Sequence, residues 1–167
     1  LIMIISEKKK IERRIFKNLM EKSSPIDRLK VVKNVKFYVD SFFKKSVKNN
    51  RIGIYWPLKN EVDLRCLTDK YSLALPRCEK NKELLFCSWD DKKLTKDCEG
   101  ILSPDSSLEL VHSDISMIFV PCLAVDKNLI RLGYGGGYFD RLRSDINWRN
   151  ILCIGVLTSN CVSHNLL

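Results

Sequence analysis

The chain has 167 residues, of which 45% are hydrophobic and 29% carry charge, and it contains seven cysteines. This length is typical of one domain with its own hydrophobic core, so neither disulfides nor a structural metal is needed to hold it together. The cysteines are odd in number, widely spaced and without a Cys-x-x-Cys pair, which argues against a disulfide framework and a zinc site. We therefore expect a single-domain, cytoplasmic monomer with reduced thiols.

The net charge is +9, and the whole excess lies in the first 50 residues, which hold 14 Lys and Arg against 5 Asp and Glu. Such a basic region could bind nucleic acid or anionic lipid. Its charges alternate with apolar residues at helical spacing, however, which favours solvated helix faces. The opening LIMIISEKKK has too few apolar residues for a membrane span or a signal peptide. We expect neither a nucleic-acid nor a membrane partner, and keep a basic nucleic-acid-binding module as an alternative.

Two amphipathic helices are predicted near the N-terminus. In residues 6–20, Ile11, Ile15 and Leu19 recur every four residues and form one apolar stripe. Ser24, followed by proline, is typical of the start of a second helix that runs to about residue 43. The residues expected to face the core from this second helix are Ile26, Leu29, Val32, Val35, Val39, Phe42 and Phe43.

Short apolar runs after residue 50 predict five buried strands, three of which are closed by proline. The pattern favours a helix over residues 61–71 and an exposed loop over residues 90–107. The predicted strands are residues 51–56, 72–75, 84–89, 115–120 and 151–156.

Strands that alternate with helices indicate an α/β fold. We expect a three-layer αβα arrangement around a mostly parallel, Rossmann-like sheet, with a helical N-terminus. Ligands of such sheets gather at the carboxyl ends of the strands. The loops 56–61 and 121–138 would lie at that edge.

The segment RLGYGGGYFDR, residues 131–141, holds four of the seven glycines within residues 133–137. Glycines let successive backbone N–H groups converge on one anion, and a phosphate is the natural ligand. Arg131 and Arg141 add positive charge, and Asp140 could hold a divalent cation beside the phosphates. From the glycines alone, an ordinary glycine-rich turn with surface charges explains the segment equally well, because it matches neither the dinucleotide-binding nor the P-loop pattern.

The chain has only two histidines, which argues against a histidine-centred triad or a multi-histidine metal site. Acid–base chemistry would then fall to carboxylates. Glu61 and Asp63 follow Trp56 after a strand, where they could accept hydrogen bonds from an amide- or pteridine-like ring. The alternative is that they only complement the dipole at a helix N-terminus.

A longer string, FVPCLAVDKNLIRLGYGGGYFDR from Phe119 onward, closely resembles the signature of the 5-formyltetrahydrofolate cyclo-ligase (methenyltetrahydrofolate synthetase) family. The resemblance extends more weakly from about Lys8 to Val156, and residues 55–63 match the family pattern Y-x-P-x-x-x-E-V/I-D/E. It implies an ATP- and Mg²⁺-dependent ligase that closes 5-formyltetrahydrofolate to 5,10-methenyltetrahydrofolate and releases ADP and phosphate. The formyl oxygen would attack the γ-phosphate, and the neighbouring folate nitrogen would then close the ring and expel phosphate.

The resemblance also implies roles for individual residues. The family carries a Lys and an Arg four residues apart on the first helix, and both bind ATP phosphates. Aligning the apolar positions puts Lys8 at the lysine position. The arginine position then falls on Glu12, and Arg13 would substitute for it. Arg131, Tyr138 and Asp140 would be catalytic, and Asp140 would also be the magnesium ligand. The implied ATP-binding residues are Lys8, Arg13, Arg131, Leu132, Gly133, Tyr134, Gly135, Gly136, Gly137, Tyr138 and Phe139, and the implied folate-binding residues are Trp56, Leu58, Glu61, Tyr134, Gly135, Gly136, Gly137 and Tyr138.

The family continues after the segment that matches Ile154, Gly155 and Val156 with a His-Asp pair and a second acidic metal ligand. This sequence ends at Leu167 before reaching such a segment. We therefore expect residues 1–167 to form a single cyclo-ligase-like domain that lacks the family's C-terminal segment. The alternative function that follows is a truncated relative that binds ATP or folate without turnover.

Overall fold

The computed structural model describes residues 2–45, 51–90 and 93–166, with side chains from residue 5. Two long helices come first, and the rest of the chain alternates strands with short helices. The helices are α1 (Ile2–Lys22), α2 (Pro25–Phe43), α3 (Tyr138–Leu142) and α4 (Ile146–Arg149); the strands are β1 (Arg51–Gly53), β2 (Ser72–Cys78), β3 (Leu84–Trp89), β4 (Thr95–Lys96), β5 (Leu102–Ser103), β6 (Glu109–Leu110), β7 (Met117–Pro121), β8 (Ala124–Val125), β9 (Arg131–Leu132) and β10 (Leu152–Val156).

Six strands form the central sheet in the order β10-β7-β1-β2-β3-β6. The first four strands in this order are parallel, and β3 and β6 add two antiparallel neighbours at the other edge. Two smaller sheets, β4–β5 and β8–β9, are antiparallel pairs. The predicted α/β fold with a mostly parallel sheet is confirmed.

Alternate residues along each strand face opposite sides of the sheet, and both sides are covered. On one side Leu73 and Phe119 pack with Val39 of α2 in a buried cluster. On the other side Phe86 and Ile118 pack in a second cluster, which α3 and α4 cover. Full burial of one such apolar side chain stabilises the fold by about 1.5–3 kcal/mol. Helices on both faces make the three layers that the sequence predicts.

Gly53 lies in the middle of the sheet, where β1 passes beneath an aromatic ring. A Cβ atom at this position would lie 2.9 Å from the ring of Phe86 and 3.1 Å from Ile118. A side chain would force one of the two out of its place. Glycine is therefore required at this position for close packing.

The two N-terminal helices form as predicted, but the residues expected to face the core do not all do so. Ile26 and Leu29 are each 65% exposed, and Ile11 and Ile15 are also exposed. α1 instead packs through Phe16, Leu19 and Met20, whose cluster includes residues of the β8–β9 pair and lies outside the central sheet. Which apolar face of a helix is buried depends on the segment it packs against. For α1 that segment is distant in sequence, so the helix's own pattern does not reveal the buried face.

The prediction of a helix over residues 61–71 is wrong except for one 3-10 turn, Arg65–Asp69. Side-chain oxygens bind nearby backbone N–H groups in this stretch and hold it in local turns. Glu61 accepts from the Leu58 N–H at 2.7 Å, and Asp63 accepts from the Arg65 N–H at 3.0 Å. Such local bonds compete with helix formation.

Two further boundaries differ from the predictions. The regular part of the first strand ends at Gly53, although the Ile54 N–H still donates to the Ala74 carbonyl. The predicted loop 90–107 contains the hairpin formed by β4 and β5, while residues 91–92 of that loop lie outside the described residues.

α1 is attached to the body of the protein at its C-terminal end. The Ser23 and Thr158 hydroxyls are hydrogen-bonded at 2.7 Å, and Asn160 Nδ2 donates to the Leu19 carbonyl at 2.7 Å. Further along α1, Arg13 Nε donates to the Gly133 carbonyl at 3.0 Å. α1 thus reaches across to the glycine-rich segment. Among the described helices, none is both long and apolar enough to cross a membrane.

Candidate functional site

A cleft of about 570 Å³ lies at the carboxyl ends of the parallel strands. Three segments that are far apart in sequence line it: α1, the loop after β1 and the glycine-rich segment. Pro76 at the end of β2 and Pro121 at the end of β7 form part of its floor. The two loops that the sequence assigns to this edge of the sheet thus meet in one cleft.

The structure brings to this cleft all but one of the residues to which the family resemblance assigns a role. The exception is Lys8, which is exposed and does not line it, whereas Lys9 does. Lys9 and Arg13 are four residues apart, the spacing that the resemblance implies for its Lys and Arg. The prediction of Lys8 rests on aligning Ile11 and Ile15, which face solvent here, so Lys9 becomes a second candidate for the lysine position. The predicted residues that line the cleft are Arg13, Trp56, Leu58, Glu61, Arg131, Leu132, Gly133, Tyr134, Gly135, Gly136, Gly137, Tyr138, Phe139 and Asp140.

The glycine-rich segment adopts backbone angles that require glycine. Gly135 has φ +104° and Gly137 has φ +69°, both in the left-handed region. A Cβ atom at Gly135 would lie 3.3 Å from the Arg13 guanidinium carbon, so the guanidinium packs directly on the loop backbone. The helix predicted after the loop is present as α3, but it spans only five residues.

Arg141, predicted to lie beside the anion site, stabilises the loop from outside the cleft instead. Its Nη2 donates to the Gly136 carbonyl and its Nε to the Lys82 carbonyl, both at 2.8 Å. Its guanidinium carbon also lies 4.9 Å from the centroid of the Tyr138 ring. Its charge therefore holds the loop and the ring in place.

Arg131 lies inside the cleft and pairs with Asp140. Its Nη2 is 2.7 Å from Asp140 Oδ1, its Nη1 donates to the Pro121 carbonyl at 3.4 Å, and its guanidinium carbon lies 5.6 Å from the centroid of the Phe139 ring. The Asp140 side chain is 76% exposed. Within residues 2–45, 51–90 and 93–166, no group of three or more His, Cys, Asp and Glu is arranged to hold a metal. A cation at Asp140 would therefore need further oxygen ligands from water or from bound phosphates.

Trp56 forms an aromatic wall of the cleft and is held on two sides. The Arg65 guanidinium carbon is 4.4 Å from the Trp56 ring centroid, and the Trp89 ring approaches edge-on at 6.1 Å. Arg65 in turn donates twice to the carboxylate of Asp63, at 2.8 and 2.5 Å. Asp63, a sequence candidate for ligand contact, thus binds Arg65 and does not line the cleft.

Glu61 is held at both carboxylate oxygens. Oε1 accepts from the Tyr134 hydroxyl at 2.5 Å, and Oε2 accepts from the Leu58 N–H at 2.7 Å. Burial raises the pKa of Glu61, and these two hydrogen bonds oppose that shift. Burial and the neighbouring Glu61 also raise the pKa of Tyr134. The phenol is therefore the donor in this pair at neutral pH.

A second tyrosine–glutamate pair was missed from the sequence. Glu99, in the turn between β4 and β5, accepts a hydrogen bond from the Tyr138 hydroxyl at 2.5 Å, which raises the pKa of Tyr138. Nothing in the local sequence marks Glu99, because it is one acidic residue in a polar stretch. Lys9 was detectable from its spacing to Arg13. Pro121 and Ile130, which also line the cleft, lie in the predicted loop 121–138, whereas the other lining residues that sequence reasoning missed are Tyr55, Pro76, Cys78, Leu84, Ile101 and Leu166.

Comparisons with known proteins agree on one family. The model of the 5-formyltetrahydrofolate cyclo-ligase family matches residues 5–162. No curated protein sequence matches at the threshold applied.

Solved structures also resemble the chain, among them two methenyltetrahydrofolate synthetases. One is the NMR structure of Aquifex aeolicus 5,10-methenyltetrahydrofolate synthetase, with a TM-score of 0.73 and 28% identity over 95% of this chain and 82% of that chain. The other is a 5,10-methenyltetrahydrofolate synthetase from Mycoplasma pneumoniae, with a TM-score of 0.69 over 95% of this chain and 90% of that chain; at 20% identity this likeness shows the fold alone. Since the family model spans nearly the whole sequence, the chain belongs to the 5-formyltetrahydrofolate cyclo-ligase family.

Proposed function

We propose that this protein is an ATP-dependent ligase that closes 5-formyltetrahydrofolate to 5,10-methenyltetrahydrofolate and releases ADP and phosphate. Membership of the cyclo-ligase family supports the reaction. The observation that carries the proposal for the site is the single cleft in which the glycine-rich segment faces the loop that holds Trp56 and Glu61. Both reactants could thus bind side by side.

The phosphate-binding end is formed by the glycine-rich segment and three cationic side chains. Lys9 and Arg13 come from α1, and Arg131 comes from the start of the segment. The close approach of Arg13 to Gly135 places positive charge beside the exposed glycine backbone. This combination fits a polyphosphate. ATP, when bound, would supply the phosphoryl group that activates the formyl oxygen, and Arg13 and Arg131 would stabilise the charge that develops on the phosphates.

Asp140 is the residue that would hold magnesium. One exposed carboxylate beside the glycine loop fits a cation that also binds phosphate oxygens, because Mg²⁺ is commonly held by one or two carboxylates and the substrate's phosphates. Magnesium would supply charge neutralisation at the phosphates. In the structure the Arg131 guanidinium is paired with the Asp140 carboxylate. On binding, the nucleotide phosphates would contact Arg131 and the metal would contact Asp140.

The pterin-binding end is formed by Trp56, Leu58 and Glu61. The Trp56 ring is fixed by Arg65 and Trp89, so it offers an ordered aromatic surface for packing. Glu61 is an acceptor that pterin N–H groups could use after they displace the Tyr134 hydroxyl. The Leu58 N–H would keep the carboxylate oriented during this exchange.

We also propose that the protein acts in the cytoplasm as a monomer, without nucleic-acid or membrane partners. All seven cysteines are free in the structure, and four of them are buried. Unpaired thiols fit a reducing compartment. The exposed basic faces of α1 and α2 fit solvated helix surfaces.

A spectrophotometric assay tests the activity. Purified protein is mixed with 5-formyltetrahydrofolate and magnesium-ATP, and the near-ultraviolet absorbance of the methenyl product is followed. We expect product in proportion to enzyme and none without ATP. Arg131→Ala should lower turnover strongly, while Arg14→Ala, which changes an exposed arginine of α1 outside the cleft, should not. A folded protein that binds ATP but forms no product would overturn the proposal in favour of a relative that binds without turnover.

A further inference from the structure

The two tyrosines that flank the three central glycines are each bound to a glutamate from a different part of the chain. Tyr134 donates to Glu61 in the loop after β1, and Tyr138 donates to Glu99 in the β4–β5 turn. The intervening residues 135–137 are the most permissive part of the backbone. The glycine loop is thus tied at both ends across the cleft.

The two pairs have different chemical settings. Glu61 has a place in the proposed reaction as an acceptor for the pterin, so its bond to Tyr134 would be exchanged when substrate binds. Glu99 is assigned no contact with the folate or the ATP in that reaction. Its bond to Tyr138 lies at the side of the loop that leads into α3, so it could persist throughout turnover.

The turn that carries Glu99 is held by a buried carboxylate. Asp97 Oδ1 accepts from the N–H groups of Glu99 and Ile101, and Asp97 Oδ2 accepts from the Cys78 N–H, each at 2.9 Å. Asp97 is 8% exposed. Gly100, with φ +78°, completes the turn. The backbone of Glu99 is therefore fixed relative to β2 of the central sheet.

The other partner, Tyr138, is also restrained. Its ring packs against the buried cluster that contains Phe86, and the Arg141 guanidinium lies on the ring. The hydrogen bond to Glu99 fixes the remaining freedom of the ring and its hydroxyl. Two rigid supports, the β4–β5 turn and the Arg141 contact, thus hold the residue that ends the glycine loop.

We propose that Glu99 is a positioning residue: its carboxylate holds the Tyr138 hydroxyl and thereby keeps the glycine loop in the conformation that binds the nucleotide phosphates. This inference rests on the proposed function, because it assigns the loop to ATP. Without the acceptor, Tyr138 and the glycines gain conformational freedom that a nucleotide must remove on binding. The expected result is weaker nucleotide binding with a nearly unchanged chemical step.

Two substitutions separate the hydrogen bond from the charge. Glu99→Ala removes the acceptor, whereas Glu99→Gln keeps an amide oxygen that can accept from the Tyr138 hydroxyl. The matched control is Glu83→Ala, which removes an exposed glutamate from the neighbouring β2–β3 turn, outside the cleft. Calorimetry measures the Kd of a non-hydrolysable ATP analogue with magnesium. We expect about a tenfold rise in Kd for Glu99→Ala, in keeping with the loss of one hydrogen bond, and less than about threefold for Glu99→Gln and Glu83→Ala.

Hydrogen exchange measured without any ligand gives an independent readout. The N–H groups of Arg141 and Arg143 donate to the carbonyls of Gly137 and Phe139, just after the loop. Their exchange should accelerate about tenfold in Glu99→Ala and stay near wild type in Glu99→Gln. In a Tyr138→Phe background, Glu99→Ala should have no further effect, because the hydroxyl that it binds is already gone.

Equal exchange rates in wild type and Glu99→Ala would overturn the proposal, as would an undiminished effect of Glu99→Ala in the Tyr138→Phe background. In an active enzyme the KM for ATP should rise about tenfold in Glu99→Ala with kcat within about threefold; a loss in kcat alone would also contradict positioning. A wild-type chain without turnover would count against the proposed function, whereas ligand-free exchange would still decide the role of Glu99.

Discussion

Glu61 shows at the scale of one residue how burial prepares a carboxylate for ligand exchange. Its two oxygens hold one phenol and one backbone N–H, and burial raises its pKa. A carboxylate kept in water would bind a pterin less tightly, because water would compete for its lone pairs.

The raised pKa of Glu61 predicts a pH-dependent contribution to stability. The folded chain binds more protons at this site than the unfolded chain from the ordinary glutamate pKa of 4.5 upward to the raised pKa. The stabilising contribution is therefore complete below pH 4.5 and is lost as pH rises through the raised value. Glu61→Gln cannot lose a proton, so its free energy of unfolding should increase relative to wild type as pH rises from 4.5.

Urea unfolding at several pH values between about 4.5 and 7.5 measures this difference. Glu83→Gln, which changes an exposed glutamate, should show no such trend. A difference between Glu61→Gln and wild type that stays flat with pH would contradict the prediction.

The neighbouring lysines Lys8 and Lys9 provide a matched test of which one binds ATP. Lys9 lines the cleft and Lys8 does not, so Lys9→Ala should weaken ATP binding about tenfold while Lys8→Ala changes it less than about twofold. Both variants lose the same charge from the same helix. Titration calorimetry with magnesium-ATP compares the two variants directly. An equal loss of affinity would show that the positive charge of α1 as a whole attracts ATP, and not a specific contact of Lys9.

At the scale of an element, the β4–β5 hairpin depends on Asp97, whose carboxylate binds three backbone N–H groups. Asp97→Ala leaves these donors without their partner and should lower the free energy of unfolding by about 3 kcal/mol. Asp97→Asn keeps one carbonyl oxygen and should cost less. Urea unfolding compares the two; a cost below about 0.5 kcal/mol for alanine would mean that water replaces the carboxylate.

α2 offers a matched pair of apolar residues two positions apart. Val39 is fully buried against the sheet, whereas Phe37 is 75% exposed. Val39→Ala should therefore destabilise the fold by about 1–3 kcal/mol, and Phe37→Ala by less than about 0.5 kcal/mol. Thermal or urea unfolding of both variants checks this. A large cost at Phe37 would mean that its side chain is covered in solution.

Helices and strands were largely predictable because their signals are local. Ser24 caps α2 as expected: its side chain accepts from the Asp27 N–H and a proline follows. The five predicted strands show as apolar runs, three of which are closed by proline. The buried face of α1 was not predictable, since it packs on residues near Cys161 through contacts that no local periodicity encodes.

The candidate site was predictable to the same degree. The glycine-rich segment and residues 56–61 carry local patterns, and the α/β fold places both at one edge of the sheet. Glu99 comes to the cleft only through the β4–β5 hairpin, which lies in a stretch expected to be loop. Lys9 was not among the predicted residues, because the alignment used the apolar positions Ile11 and Ile15, which are exposed in the structure.

At the scale of the whole molecule, α1 is joined to the C-terminal part of the fold by a buried hydroxyl pair. Ser23 and Thr158 are both buried, and their hydroxyls are 2.7 Å apart. Thr158→Val removes one hydroxyl at nearly constant volume and should destabilise the protein by about 1–3 kcal/mol. It should also weaken ATP binding, since Arg13 is carried by the same helix.

Thr158→Ser is the matched control, because it keeps the hydroxyl and loses only a methyl group. Urea unfolding and ATP titration of the two variants separate the hydrogen bond from packing. If the serine variant is as unstable and binds as weakly as the valine variant, the hydroxyl pair does not hold α1.

The contacts that attach α1 affect the order in which parts of the structure can form during folding. Arg13 is bonded to a residue 120 positions later, Ser23 to one 135 positions later and Leu19 to one 141 positions later. Contacts of such long sequence separation form late, because the chain between them must first be closed into a loop. α1 can therefore make these hydrogen bonds only after Gly133, Thr158 and Asn160 have reached their places in the fold. A chain halted before Thr158 would contain the six described strands of the central sheet and the whole glycine loop, yet it would lack the hydrogen bonds that attach α1 at Leu19 and Ser23.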